Sequence, residues 1–283
     1  MRFGIHVSTS GGFKQAALRA VAAGCETMQV FSSNPMGWKV PPLDANQADD
    51  FMAIVGEKEI RPVFLHTPYL VNLASPDGDL IGKSRDCVAT AVLRAEILGA
   101  AYVVTHIGSH KGAGLEAGLA RVSESLDFVL QTTEDDVMIL LENTTGSGNS
   151  IGRSFEDFYQ ILNSLPQHGD RLGVCLDTAH LWGAGFDIST GEGVDQTVEA
   201  FAARVGRERL HLIHANDSSV KLNSHRDIHQ PPGKGLIGIE AFNALVNHPR
   251  LADLPFILEL PTEDTEAVVE VLRAMRLLVR VEG

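Results

Sequence analysis

A chain of 283 residues with 44% hydrophobic and 21% charged residues has the composition of an ordinary soluble globular protein, long enough for one large α/β barrel or two small domains. Its three cysteines, Cys25, Cys87 and Cys175, are an odd number without CxxC spacing, which speaks against a disulfide framework and for reduced thiols. A net charge of −13 argues against nucleic acid as a partner unless bound cations or a local basic patch override it.

The opening MRFGIHVSTSGG lacks the long apolar stretch of a secretory signal, and no later run approaches the roughly 18 apolar residues that span a bilayer. A cytoplasmic protein with no membrane partner is therefore expected. Short apolar runs then recur in chain order at Phe3–Val7, Met28–Phe31, Pro62–Leu65, Tyr102–Thr105, Val137–Leu141, Gly173–Leu176, Leu210–Ile213 and Pro255–Leu258. They read as fully buried strands of a parallel sheet. Helical spacing lies between and after them. Val194, Val198, Phe201 and Val205 share one face, and Val268, Leu272, Met275 and Val279 repeat the pattern after Glu263 and Asp264 in a first helical turn. Eight such alternations without a Pro/Gly/Ser-rich linker predict a (β/α)8 TIM barrel in a single catalytic domain, 1–283. A doubly wound open sheet is the alternative, but GxGxxG does not follow the first strand.

A barrel places its functional side chains at the C-terminal ends of the strands. The third run leads to His66 in VFLHTPYL and the fourth to His106 in VVTHIGSH. The fifth ends at Glu142 in ILLENTTG, and the sixth at Asp177 and His180 in CLDTAH. The seventh leads to His214 in LIHAND and the eighth to Glu259 in ILELP. A loop after the seventh adds Asp227 and His229, two apart on one side of an extended segment. One His or Glu at a strand end is ordinarily a satisfied hydrogen-bonding residue. Five imidazoles and four carboxylates around one mouth are another matter, because carboxylates that close repel one another unless cations intervene. A polynuclear metal site is the economical reading. With no cysteine in the set, Zn2+ suits it, with Mn2+ tolerable in part of the sites, and nine side chains serve about three ions. No organic cofactor is implied.

At these residues the chain resembles the endonuclease IV family of apurinic/apyrimidinic-site DNA repair endonucleases. GIHVSTSGG, HIGSH, ENTTG, GVCLDTAH, the DIH…GKGLIG segment and ILELP carry the resemblance, which runs over nearly the whole sequence. It implies a TIM barrel with three zinc ions. His66 and His106 would bind the first, with Glu142 bridging to the second; Asp177, His214 and Glu259 would complete the second; His180, Asp227 and His229 would hold the third. The implied reaction, a step of base excision repair, cleaves double-stranded DNA on the 5′ side of an abasic site. It leaves 3′-hydroxyl and 5′-deoxyribose phosphate ends. Glu142, as the bridge, and Glu259, which would also orient the attacking hydroxide, are the catalytic carboxylates. Loops after the early strands would enter the DNA, through Asn34 and Met36 in NPMGW and through Tyr69 and Leu70 in TPYLVN, the last two as a wedge. Met36 stands where the family often has an arginine, and Lys234 where glutamate is frequent, so DNA bending is where this chain departs from the pattern. The expected state is a monomer. The rival reading is a metal-dependent sugar isomerase or epimerase on a xylose-isomerase-like barrel, for which the loop ligands Asp227 and His229 and the residue His180 would have no work.

Two further expectations concern histidines outside this set. His6 would line the pocket beside the ligands, and His211, three residues before His214, would point to the other side of its strand.

Overall fold

Eight parallel strands close on themselves in the computed structural model, which describes residues 1–133, 136–262 and 264–280. Glu263, expected in the first turn of the last helix, lies outside the described residues. The barrel strands are β1 (Arg2–Val7), β2 (Thr27–Phe31), β3 (Val63–His66), β4 (Tyr102–His106), β5 (Met138–Glu142), β6 (Leu172–Asp177), β7 (Leu210–His214) and β10 (Pro255–Leu258). Each pairs with its neighbours in chain order, and β1 pairs with both β2 and β10, so the ring has no free edge. That closure excludes the open doubly wound sheet. A two-stranded antiparallel ribbon, β8 (Asp217–Ser218) with β9 (His229–Gln230), sits outside the barrel in the long segment after β7.

The outer layer is α1 (Phe13–Ala22), α2 (Ala45–Glu57), α3 (Gly78–Ile97), α4 (Leu115–Thr132), α5 (Phe155–Asn163), α6 (Thr178–Ala184), α7 (Gly191–Arg204), α8 (Ile239–Val246) and α9 (Thr265–Leu278). Their starts are written locally. Asp44, Asp77, Thr190 and Asp264 each accept a backbone N–H from the first turn of the helix they precede, and Ser154 with Asp157 forms a capping box on α5. Asp264 thus caps α9 rather than sitting inside its first turn. The stripe Val194, Val198 and Phe201 is buried against the barrel, as is Val268, Leu272 and Met275, while Val205 and Val279 fall just past their helices.

Inside the ring, Phe64, Val104, Leu140, Cys175, Leu212 and Ile257, one from each of six strands, pack into an apolar plug. A strand's side chains alternate faces, so the residue two positions further along points to the same interior. Those residues are His66, His106, Glu142, Asp177, His214 and Glu259. The apolar plug therefore floors the polar layer. All three cysteines are buried and unpaired. No helix among the described residues is long and apolar enough to cross a membrane.

Candidate metal centre

The spacing Asp177-x-x-His180 has a local cause. Asp177 is the last residue of β6 and also the N-cap of α6, where its Oδ1 accepts the His180 backbone N–H at 2.8 Å. The cap sets the start of α6 so that the His180 ring turns back over the barrel mouth, 3.3 Å from Glu142 Oε1. Three sets of donor atoms lie within 4.8 Å of one another: His66, His106 and Glu142; Glu142, Asp177, His214 and Glu259; and Asp177, His180 and His229. Asp227 joins the third set from the loop, its Oδ2 3.1 Å from His180 Nε2 and its Oδ1 2.8 Å from His229 Nε2. Asp177 and Glu142 each belong to two of the sets.

The donor set passes a test of fit for metal. His66 Nδ1 donates to the Thr67 carbonyl at 2.6 Å, His180 Nδ1 to the Asn143 carbonyl at 2.9 Å, and His214 Nε2 to Gln29 Oε1 at 3.0 Å. Each imidazole has its proton committed to an oxygen on one side, which leaves the other nitrogen's lone pair toward the cluster, the arrangement found around metal-binding histidines. His214 would ligate through Nδ1, and His66 and His180 through Nε2. The buried His229 Nε2 makes no hydrogen bond, although Asp227 Oδ1 is 2.8 Å away. Two groups that close without hydrogen-bond alignment are what donors aimed at a shared cation look like.

Electrostatics lead to the same place. Burial raises the Asp177 carboxyl; the neighbouring His180 and His229 pull it down by more than Glu142 repels it, but not by enough to overcome the burial. Burial alone would lower His229, but Asp177, Asp227 and Glu259 around it push it up to about 9. His180 rises well above its usual value for the same kind of reason, burial being outweighed by Asp177, Asp227 and Glu142. Burial would raise Glu142, yet His106, His214 and His180 hold it well below the ordinary carboxylate range. The site is built to hold positive charge among its carboxylates.

Four supporting residues were not legible as such. Gln29, from β2, accepts from His214 and donates its amide to His6 Nδ1 at 2.9 Å and to Glu259 Oε1 at 3.1 Å. Asn143 clamps Asp177 by its backbone, accepting from its N–H at 2.6 Å and donating to its carbonyl at 3.1 Å. Asn216 donates to Asp177 Oδ2 at 2.6 Å and to Glu259 Oε2 at 3.3 Å. Asp217 is fully buried beneath the loop that carries Asp227 and His229. The signals were a polar residue inside an apolar strand for Gln29, and closeness in sequence to strand-end ligands for the asparagines. His6 lies where expected, 3.2 Å from Glu259 Oε1.

His211 does not. The β6–β7 register shifts so that Val174 faces Leu210 while Cys175 faces Leu212, which makes His211 the extra residue of a bulge. Its ring consequently lies beside Tyr102, 5.7 Å between centroids, and close over Gly173 beneath the apolar plug rather than on the opposite side from His214.

A cavity of about 690 Å3 opens over the metal-binding groups, lined by His6, Phe31, Tyr69, His106, His180, Asp227, His229 and Glu259 among others. Of Asn34, Met36, Tyr69 and Leu70, only Tyr69 lines this cavity; Asn34 and Met36 flank Pro35, which also lines it. Met36 is 72% exposed, its N–H donating to Asn34 Oδ1 at 3.0 Å. Tyr69 N–H donates to the Pro35 carbonyl at 3.2 Å, so the two loops are tied together, and its ring packs against Phe31 with centroids 5.2 Å apart. Leu70 is half-buried in an adjoining groove that also holds Lys111. Lys234 is exposed.

The model of the xylose isomerase-like TIM barrel family matches residues 17–278. A probable endonuclease 4 of Methanosphaerula palustris is 40% identical over 281 residues, covering 98% of each chain. Another, of Chloroflexus aggregans, is 41% identical over 282 residues, covering 99% of this chain and 98% of its own. Among solved structures, endonuclease IV from Thermus thermophilus superposes with a TM-score of 0.86 at 32% identity, covering 98% of this chain and 99% of that one. A D-tagatose 3-epimerase-like protein reaches a TM-score of 0.73 at 18% identity over 99% of this chain and 98% of its own, a likeness of fold alone.

Proposed function

Because the chain belongs to the endonuclease IV family of xylose isomerase-like TIM barrels, we propose that it incises double-stranded DNA at abasic sites. In this reading it hydrolyses the phosphodiester 5′ to the lesion and leaves 3′-hydroxyl and 5′-deoxyribose phosphate ends. The observation that carries it is the convergence of five imidazoles and four carboxylates on one barrel mouth, in three overlapping sets of donors.

Three metal ions would be held by His66, His106 and Glu142, by Glu142, Asp177, His214 and Glu259, and by His180, Asp227 and His229. Imidazole and carboxylate without sulfur favour zinc, with manganese acceptable in part of the sites. When bound, the metals supply an activated water and neutralise charge developing on the phosphate. The chain supplies the rest. Glu142 and Glu259 would be the catalytic carboxylates, the first belonging to two of the donor sets and the second held by Gln29 and Asn216, where it would orient the nucleophile. A cavity of about 690 Å3 is too small for a duplex, which supports a reading in which the target nucleotide turns out of the helix into it. Met36, Tyr69 and Leu70, on loops already tied to each other, would fill the vacated stack, and Asn34 braces Met36. A single catalytic domain, 1–283, working as a cytoplasmic monomer completes the proposal.

The test is incision of a duplex carrying one tetrahydrofuran abasic analogue, which blocks β-elimination and so cannot be cut by a lyase. Cleavage 5′ to the site with a 3′-hydroxyl end, lost on chelation and in a His180→Ala variant, supports the reading. An intact duplex in the presence of fully metallated protein overturns it, and ketose sugars become the substrates to try.

A further inference from the structure

Six of the nine candidate ligands end or directly follow barrel strands and a seventh, His180, lies in the first turn of α6; only Asp227 and His229 come from the long segment 219–238. The apolar plug and the sheet fix the first seven. What fixes the loop is a different question, and Asp217 answers it.

The Asp217 carboxylate is fully buried, and its hydrogen-bond partners among the described residues are backbone N–H groups. Its Oδ2 accepts from Gly233 at 3.0 Å, Gly235 at 2.9 Å and Gly238 at 3.2 Å. Its Oδ1 accepts from Ile237 at 2.9 Å and from its neighbour Ser218 at 2.7 Å. A buried carboxylate is tolerable only when its charge is answered, and here five amide dipoles do so. Four of them belong to the returning arm of the loop. The chain is shaped to deliver them: Gly233 and Gly238 have φ of +78° and +84°, and a Cβ on Gly235 would lie 2.4 Å from Asp217 Oδ1. The strand that carries Asp217 holds the returning arm as well. Ser218 pairs with His229 across the β8–β9 ribbon, and Leu236 N–H donates to the Ser218 carbonyl at 2.7 Å. Asp217 does not line the cavity, whereas Asp227 and His229 do.

We propose that Asp217 is the positioning residue for the third metal site: by gathering the amides of 233–238 it holds Asp227 and His229 opposite His180, and occupancy of that site depends on it while the other two do not. The inference rests on the trinuclear reading above.

In Asp217→Asn one acceptor oxygen becomes an NH2 facing amide donors. The purified variant should lose one metal equivalent per chain relative to the wild type by elemental analysis. Its affinity for that equivalent should fall on the order of 10–100-fold, and excess metal should restore kcat. Gly235→Ala, which keeps the carboxylate and obstructs the approach, should show the same selective loss. Equal metal content in the wild type and both variants overturns the assignment, as does loss of all metals together from folded protein. Hydrogen exchange of the metal-stripped wild type decides the matter even if both variants fail to fold. Slow exchange at 233, 235, 237 and 238 means that the carboxylate orders the loop before metal arrives; rapid exchange means that metal does, and Asp217 is not the cause. A wild-type protein that holds no metal at all would instead fail the trinuclear reading.

Discussion

At Asn216 one carboxamide serves two candidate ligands, donating to Asp177 Oδ2 and Glu259 Oε2 while its oxygen accepts the Glu259 backbone N–H at 2.8 Å. Asn216→Ala removes the donor from both carboxylates, one of which is already raised by burial. Residues that orient ligands typically cost 10–100-fold in metal affinity or activity when lost, and that is the loss expected here, read by competition against a chromophoric chelator. Asn216→Asp should be worse, since it places a third carboxylate between the two. Unchanged affinity in both variants would mean that Asn216 only packs. The residue scale also shows what a single sequence displays. His66, His106, Glu142, Asp177, His214 and Glu259 stood out because a charged or imidazole group at the end of an apolar strand is costly and needs a reason. Gln29 did not, because its partner His214 lies 185 positions away and only the closed ring brings them together.

At the scale of elements, apolar runs and helical stripes revealed the barrel because most of its strands are buried on both faces and its longer helices on one, α6 being buried all round. Two features escaped that logic. The β6–β7 bulge at His211 changes the alternation without changing composition, and the β8–β9 ribbon with its loop is organised by Asp217, through hydrogen bonds to residues 16 to 21 positions away. Backbone closeness is equally invisible to pattern. At Gly4 an added Cβ would lie 1.8 Å from the Thr27 carbonyl oxygen of the adjacent strand, while at Gly82 inside α3 nothing lies within 4 Å. Gly4→Ala should therefore destabilise by at least the roughly 1–3 kcal/mol of overpacking, because β1 is the strand through which the ring closes. Gly82→Ala should stabilise by up to about 1 kcal/mol through helix propensity. Thermal melts of the two variants should move in opposite directions, and a neutral Gly4→Ala would show that β1 and β2 can separate at no cost.

For the whole molecule the question is how a chain of net charge −13 receives DNA. The charge is not spread evenly. Exposed Lys39, Lys111, Arg153, Lys221, Arg226 and Lys234 all lie in segments that lead from a barrel strand to the next helix, around the cavity mouth. The acids of those segments are already engaged. Asp44, Asp77 and Asp264 cap helices, Asp217 is buried, Asp227 faces His180 and His229, and Glu259 faces His6 and His229. Among the described residues that leaves Asp187, which lies between α6 and α7. Capping and burial leave those carboxylates charged, so the loop face would attract DNA through these six exposed cations together with the positive charge of metal ions held at the mouth. Binding through a small number of cations carries a measurable signature. Each phosphate neutralised contributes about −0.9 to the slope of log affinity against log salt, so six side chains can account for a slope no steeper than about −5. KM for the abasic duplex should accordingly rise steeply between about 50 and 200 mM salt while kcat, set inside the cavity, changes little. Lys111→Ala and Lys234→Ala should each flatten the slope by up to about one, and by about two together if both reach the backbone. A slope left intact by the double variant would place the DNA elsewhere on the face, with Lys39, Arg153, Lys221 and Arg226 the next residues to change.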